Sequence, residues 1–212
     1  MKILITALLA LLLASPVRAV EIAADAFAGT ANPLGGDWTT IPGGLGDLQK
    51  ASGIVRGTAT SSRNGAYNVT AVGDDQYSQA TIISAVGGNA PCVAVRISAS
   101  DESYYAFCPI DAGGDAWDLL KRVAGTYASL GSDFNAWAPG DVIKIEAQGT
   151  AIRGYINGAL VASATDSSVT TGQFGIVLSA GGTLTDTEID DWSGGDFAPP
   201  PSGSDFFARR RR

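Results

Sequence analysis

Turn-forming motifs interrupt this sequence about every 8–12 residues, a spacing that leaves room only for short strands. The motifs combine Gly, Pro, Asn and Asp, as in residues 32–37 (NPLGGD), 72–75 (VGDD), 86–91 (VGGNAP) and 138–141 (APGD). The segments between them are either apolar throughout or alternately apolar and polar, and none of comparable length sustains the period of a helix. The pattern therefore predicts an all-β fold in which two antiparallel sheets pack as a sandwich.

Eleven segments are predicted to form strands, because each is rich in β-branched or aromatic residues and is bounded by turn residues. They are residues 54–59, 66–71, 76–86, 92–98, 103–110, 116–123, 141–147, 151–156, 159–164, 173–179 and 183–192.

The first 19 residues have the three regions of a secretory signal peptide. Lys2 supplies the positive charge, residues 3–14 form a short apolar run, and residues 15–19 end in a Val-x-Ala cleavage pattern. The apolar run is too short to span a bilayer. We therefore expect a signal peptide over residues 1–19 and one domain over residues 20–196 in a secreted, periplasmic or cell-surface protein.

The predicted domain is acidic, with 20 Asp and Glu residues against 8 Lys and Arg residues between Val20 and Asp196. An acidic surface repels phosphate backbones, which argues against nucleic acid as a partner. The chain contains no histidine, which argues against Ser-His-Asp and Cys-His catalysis and against most zinc sites.

Residues 197–212 are rich in Pro, Gly and Ser and end in four arginines, Arg209–Arg212. This composition predicts an extended, mobile tail. Its basic end allows a weak contact with an anionic surface, such as phospholipid headgroups. The alternative is a terminus that only adds solubility.

Cys92 and Cys108 are the two cysteines of the chain, and in an exported protein they are expected to form a disulfide. A hairpin around residues 99–103 whose paired residue numbers sum to 200 would place the two cysteines directly opposite each other. The same register pairs Val93 with Phe107, a pair suited to the core. The alternative is two buried free thiols.

This register also places Arg96 opposite Tyr104, beside the disulfide and away from the core. A guanidinium next to a phenol on an open sheet face can bind a sugar by hydrogen bonding and stacking. Trp38, Trp117 and Trp137 lie near turns, where an exposed indole could stack on a sugar ring. The alternatives are a solvated cross-strand pair for Arg96 and Tyr104, and core positions for the tryptophans.

Five segments occur in order along most of the predicted domain. They are residues 25–29 (DAFAG), 93–107 (VAVRISASDESYYAF), 117–130 (WDLLKRVAGTYASL), 141–168, and 171–179 followed by 189–192. Taken together, they resemble concanavalin A-like (laminin-G/glucanase-type) jelly-roll domains. The resemblance implies a jelly-roll sandwich in which the first and last strands pair, bringing Asp25 and Phe27 near Asp190 and Trp192.

Glycoside hydrolases of the laminarinase type carry Glu-x-Asp-x-(x)-Glu on one strand, which aims all three carboxylates into one groove. Glu188 and Asp190 match the first two members, but the third is missing. We therefore interpret residues 183–192 as a closing strand whose charges discourage edge-to-edge pairing, with a bulge before Ile189. Calcium is a further alternative, bound by Asp190 in this stretch or by Asp74 and Asp75 in their loop.

The fold implied by the resemblance is shared by lectins, glycoside hydrolases, polysaccharide lyases and adhesion modules, so it does not select a function. The residues favour a secreted, non-catalytic module that binds a glycan or a cell-surface polysaccharide. The alternatives are a glycoside hydrolase or polysaccharide lyase with an unrecognised site, and a purely structural envelope protein.

Overall fold

The structure is a computed structural model in which residues 18–110, 116–134 and 136–198 are described. Residues 19–197 form one compact unit. Most of the predicted signal peptide and all of the predicted tail beyond Ala198, including Arg209–Arg212, therefore lie outside the described residues. In the described ranges, no helix is long and apolar enough to cross a membrane.

The described residues form sixteen strands and one short 3₁₀ turn. The strands are β1 (Arg18–Asp25), β2 (Thr30–Ala31), β3 (Trp38–Thr40), β4 (Leu48–Ala51), β5 (Val55–Gly57), β6 (Ser62–Asn68), β7 (Gln76–Ala85), β8 (Pro91–Ile97), β9 (Tyr104–Ile110), β10 (Ala116–Val123), β11 (Thr126–Phe134), β12 (Val142–Gln148), β13 (Ala151–Ile156), β14 (Ala159–Thr165), β15 (Gln173–Ala180) and β16 (Thr187–Ala198).

The strands form the two sheets that the sequence predicts. One sheet has nine strands in the order β14-β13-β12-β7-β16-β5-β4-β2, with β1 also paired to β16. The other has seven strands in the order β11-β10-β9-β8-β15-β6-β3. Neighbouring strands run antiparallel in both sheets. The expectation of an all-β, two-sheet antiparallel sandwich is confirmed.

The core lies between the two sheets and is closed by aromatic side chains. Trp192 of β16 is 1 % exposed and packs 4.6 Å from Trp38 and 5.4 Å from Phe174, centroid to centroid. Its indole Nε1 donates to Ser78 Oγ, which donates to the Gly175 carbonyl of the opposite sheet. The buried indole is therefore satisfied by a hydrogen bond that joins the sheets.

The register proposed from the cysteines is confirmed. Val93 pairs with Phe107 and Ala94 with Ala106, so the residue numbers sum to 200. The disulfide between Cys92 and Cys108 is present. Val93 and Phe107 are fully buried in the core, whereas the two cysteines belong to a cluster on the other face of the sheet.

Removing the disulfide should lower the free energy of unfolding by about 3 kcal/mol, because the bridge restricts a 16-residue loop of the unfolded chain. The double variant Cys92→Ala/Cys108→Ala, compared with the oxidised wild type by urea denaturation, measures this effect. The wild type reduced under the same conditions is the control. A loss below about 1 kcal/mol in both samples would contradict the expectation.

β16 does not close the sandwich at an edge; it lies inside the nine-stranded sheet with β7 on one side and β5 and β1 on the other. The expectation that the charges of residues 183–192 protect an exposed edge is therefore wrong. The last strand in sequence is interior because it lies between β7 and β5, and the first strand also pairs with it, as the resemblance implies. The expected irregularity is present, since Leu184–Asp186 forms the 3₁₀ turn and the register shifts after Glu188 and again after Asp190.

Candidate functional site

A second apolar cluster lies on the outer face of the seven-stranded sheet. Because side chains alternate along a strand, Cys92 and Ala94 of β8 lie on this face beside Ala106 and Cys108 of β9. Val177 of β15 joins them because it pairs with Cys92. These side chains are each no more than 4 % exposed, so they form an apolar layer beneath the outer face of the sheet.

A groove of about 250 Å³ lies over this face. Its floor includes the disulfide, Ala106 and Val177. One side belongs to β6 and β15, and the other side to β10 and β11. The polar and aromatic residues at these sides are Arg63, Ser179, Asp118, Arg122 and Tyr127. An apolar floor with a few polar groups around it is typical of small-molecule sites.

Glu102 holds three of the lining side chains in place. Its carboxylate is 5 % exposed and accepts hydrogen bonds of 3.1 Å from both Nε and Nη2 of Arg63. Arg122 Nε lies 3.3 Å from the same carboxylate, and the Tyr104 hydroxyl donates to it at 3.4 Å. Burial raises the pKa of Tyr104 well above its ordinary value, so Tyr104 acts here as a neutral donor.

Tyr127 is the exposed aromatic side chain of the groove. Its ring is 50 % exposed, and its hydroxyl donates to Asp118 Oδ2 at 2.6 Å. Ser129 Oγ donates to the other oxygen of Asp118 at 2.7 Å, and the Arg122 guanidinium carbon lies 5.8 Å from the Tyr127 ring centre. The hydrogen bond to Asp118, followed by burial, raises the pKa of Tyr127. These contacts fix the ring in one orientation at the side of the groove.

The structure places Arg96 away from the groove, which corrects the expected pairing with Tyr104 on an open face. Arg96 is 2 % exposed, and its guanidinium donates to the carbonyls of Asp74, Gly149 and Val169. Its backbone has φ 52°, in the left-handed region, and the regular pairing of β8 with β9 ends at Val95. This turn of the backbone moves the Arg96 side chain off the face on which Tyr104 lies.

The three tryptophans expected as sugar platforms are core residues. Trp38, Trp117 and Trp137 are each no more than 8 % exposed and belong to the main apolar cluster. Trp38 Nε1 donates to Asp25 Oδ2, and Trp117 packs 6.0 Å from Phe107. The expectation of exposed indoles is therefore wrong, because each of these side chains points between the sheets rather than into solvent.

The carboxylates expected to hold calcium are not brought together. Asp75 Oδ1 accepts the Gly149 amide and Asp190 Oδ1 accepts the Asp191 amide, while Asp74 contributes its carbonyl to Arg96. Burial raises the pKa of Asp190. Among the residues that the structure describes, no three His, Cys, Asp or Glu side chains form a group that could hold a metal ion.

Of the residues expected to bind a ligand, Tyr104 alone lines the groove, and the two cysteines, expected to form a disulfide, lie in its floor. Arg63, Asp118, Arg122 and Tyr127 line the groove without having been singled out in the sequence. The sequence did contain one signal for Arg122 and Tyr127, the dipeptide Ala124-Gly125. It forms the two-residue turn of a hairpin, with φ values of 48° and 80°. That turn pairs Arg122 with Tyr127 and places both on one face.

No protein-family model and no curated protein matches the sequence. Solved structures match in fold. The carbohydrate binding module CBM66 from Bacillus subtilis is 19 % identical, with a TM-score of 0.58 over 76 % of this chain and 92 % of that chain. A protein of unknown function with a galectin-like fold, also from Bacillus subtilis, is 9 % identical, with a TM-score of 0.60 over 83 % of this chain and 96 % of that one.

A prokaryotic β-1,3-1,4-glucanase (lichenase) derived from a mouse hindgut metagenome is 13 % identical, with a TM-score of 0.56 over 83 % of this chain and 99 % of that chain. Identities this low establish a common fold and no common activity. The expected jelly-roll architecture is confirmed by these similarities together with the two sheets described above. The chain has the concanavalin A-like jelly-roll sandwich fold.

Proposed function

We propose that this protein is a secreted, non-catalytic carbohydrate-binding module that holds a glycan in the groove on the outer face of its seven-stranded sheet. The observation that carries the proposal is Tyr127, which is half exposed at the side of the groove and fixed through its hydroxyl by Asp118. A sugar ring stacks on an aromatic face through its C–H groups, and an immobilised ring loses little entropy when it does so.

The remaining sides of the groove supply partners for sugar hydroxyls. Arg63 keeps 40 % of its side chain exposed while Glu102 fixes its orientation, so it can donate to a ligand without first being ordered. Ser179 offers a hydroxyl on the same side. The apolar floor suits the C–H face of a sugar, and the same groove would support adhesion to a cell-surface polysaccharide.

The carboxylates around the groove support binding rather than hydrolysis. A retaining or inverting glycosidase needs one carboxyl group free to donate a proton and a second free to act as nucleophile or base. Both oxygens of Glu102 are engaged by arginines, and both oxygens of Asp118 are engaged by Tyr127 and Ser129. Neither carboxylate has a free oxygen directed at a substrate.

Two further facts support the proposal. The protein named CBM66, which shares the fold, is a carbohydrate binding module by its name. A formed disulfide is typical of an oxidising compartment, which agrees with export by the predicted signal peptide. A glucanase also shares the fold, so the fold does not distinguish binding from hydrolysis, and the residues of the groove support binding.

Replacing Tyr127 by alanine should weaken glycan binding at least about tenfold, because the stacking surface is lost. Wild type is first applied to a glycan array, and the affinities of both proteins for the best ligand are then measured by calorimetry. Phe134→Ala is the matched control, since Phe134 lies on the same strand, is 77 % exposed and does not line the groove.

The same ligand also separates the proposed function from its enzymatic alternative. Binding without release of reducing sugar or unsaturated product supports the module. Release that is lost in the Tyr127 variant would replace it with a hydrolase or lyase. If the Tyr127 and Phe134 variants bind as wild type does, the groove is not the site.

A further inference from the structure

A second pocket lies apart from the groove and has different chemistry. It has a volume of about 450 Å³ and is bounded by β1, by the loop that precedes β3 and by the end of β6. No residue that lines the groove lines this pocket. The residues used below are Asp25, Asp37, Trp38, Lys50, Asn68 and Thr70.

Asp25 is the anchor of this pocket. Its carboxylate accepts the Phe27 amide at 2.8 Å, the Trp38 indole Nε1 at 3.0 Å and the Lys50 ammonium at 2.8 Å. The Asp25 and Lys50 side chains are 20 % and 19 % exposed, so they are held in place and still reachable. Because both oxygens of Asp25 already accept hydrogen bonds, the Lys50 ammonium that Asp25 holds in place is the member of the pair that can donate to a ligand hydroxyl.

Asn68 supplies a polar group that the fold does not use. Its side chain is 5 % exposed, and its Oδ1 accepts the Thr70 amide at 3.0 Å. Its Nδ2 donates no hydrogen bond to any other part of the chain that the structure describes. The N–H groups of this amide are not fully buried, so they are open to a partner from the pocket. Since Asn68 lines the pocket, a ligand there can accept hydrogen bonds from its Nδ2 group.

The charges of the pocket select the kind of ligand. Asp25 and Lys50 neutralise each other, and Asp37 adds one negative charge in a domain that is already acidic. An anionic ligand is therefore disfavoured. The edges of the largely buried Trp38 and Leu34 side chains line the pocket beside the polar groups. A neutral molecule with several hydroxyl groups and one apolar face fits this combination, which is the description of a neutral sugar.

We propose that this pocket is a second, independent binding site for a neutral sugar residue, recognised through the Asp25–Lys50 pair and the amide of Asn68. The site does not depend on the groove, since the two share no lining residue. A pocket of this size accepts one or two sugar residues rather than a long chain, so free monosaccharides and disaccharides are its ligands.

The test follows backbone and side-chain amide signals of the full chain by NMR during titration with glucose, galactose, mannose, fructose, N-acetylglucosamine and their common disaccharides. The expected result is a saturable shift of the Asn68 side-chain amide and of Thr70 with at least one of these sugars. Asn68→Asp keeps the acceptor for the Thr70 amide and removes the donors, so binding should weaken at least about tenfold.

Thr70→Val is the second variant: Thr70 lines the pocket, so loss of its hydroxyl should also weaken sugar binding, and this milder change guards against a folding defect in the first variant. Tyr127→Ala is the control and should leave the shifts at Asn68 unchanged, whether or not it abolishes glycan binding in the groove. The proposal is overturned if no sugar in the panel shifts Asn68. It is also overturned if both pocket variants bind as wild type does, or if glucuronate and galacturonate bind more tightly than the neutral sugars.

Discussion

The Arg96→Met variant is expected to unfold with a free energy about 5 kcal/mol below that of the wild type, the largest effect of any single change considered. The Arg96 guanidinium donates to three backbone carbonyls, and methionine fills much of the same volume without any donor. Each carbonyl left unsatisfied in a buried position costs about 1–3 kcal/mol.

The three carbonyls belong to three different connections: the β6–β7 loop, the β12–β13 turn and the β14–β15 loop. The backbone amide of Arg96 makes a fourth hydrogen bond, to Gln76 Oε1. Gln76 Nε2 in turn donates to the carbonyls of Gly73 and Gly172. Gly172 is required at this contact, because a Cβ there would lie 2.5 Å from the Arg96 carbonyl carbon. Arg96 and Gln76 therefore hold one end of the sandwich together.

Denaturation by urea, followed by tryptophan fluorescence, measures the effect of the Arg96 change. Arg153→Met is the matched control, because within the described residues Arg153 donates only to the Gln148 side chain, and its loss should cost no more than about 0.5 kcal/mol. Arg96→Lys should recover only a small part of the stability, since an ammonium cannot reach three carbonyls that a planar guanidinium spans. Equal stability of the Arg96→Met and Arg153→Met variants would show that the hydrogen bonds from Arg96 to the three carbonyls do not stabilise the fold.

The backbone conformation of Arg96 could not be predicted from the sequence, although the hairpin that contains it could. Its hairpin was predictable, because two cysteines, alternating small residues and a turn at residues 99–103 fix the pairing of Val93 with Phe107. The alternation itself ends at Arg96, where φ is positive for a non-glycine residue. No local pattern predicts that change, since the left-handed backbone is stabilised by carbonyls that are distant in sequence.

The strands were predictable to the extent that apolar residues repeat along them. β7, β9, β10, β13 and β15 lie within a residue or two of the predicted ranges. β11 (Thr126–Phe134) was missed, because an edge strand with Ser, Gly and Asp lacks an apolar repeat. Tyr127 belongs to this strand. The exposed aromatic side chain of the groove was therefore missed together with its strand.

Composition alone also could not separate core aromatics from exposed ones. Trp38 and Tyr127 both lie next to turns, yet Trp38 is 8 % exposed and Tyr127 is 50 % exposed. The difference is one of register: Trp38 pairs with Asn68 on the inner face of β6, and Tyr127 pairs with Arg122 on the outer face of β10. Only the pairing of strands decides which face a residue occupies.

Asp166→Asn is expected to lower the free energy of unfolding at pH 7 by about 3–5 kcal/mol. Asp166 is 14 % exposed and joins β9, β10 and the loop that follows β14. Its carboxylate accepts the Tyr105 hydroxyl at 2.6 Å, the Lys121 ammonium at 2.5 Å and the Ser168 amide at 2.8 Å. Asparagine keeps an acceptor for Tyr105 but cannot pair with the charge of Lys121.

The effect of the Asp166 change should depend on pH in one direction. Burial by itself would raise the pKa of Asp166, but hydrogen bonds from Lys121, Tyr105 and Ser168 outweigh it and hold the pKa below its ordinary value. A carboxyl group whose pKa is lower in the folded state stabilises the fold above the unfolded pKa of about 3.9. That stabilisation is lost as the pH falls through the lower, folded-state value.

The difference in stability between wild type and Asp166→Asn should therefore be constant above about pH 5 and shrink steadily below about pH 4. Urea denaturation of both proteins from pH 7 to pH 2 measures it. Asp133→Asn, in the exposed part of β11, is the control and should track the wild type within about 0.5 kcal/mol. A difference that stays constant down to pH 2 would mean that Asp166 stabilises the fold through its shape and neutral hydrogen bonds, and not through its charge.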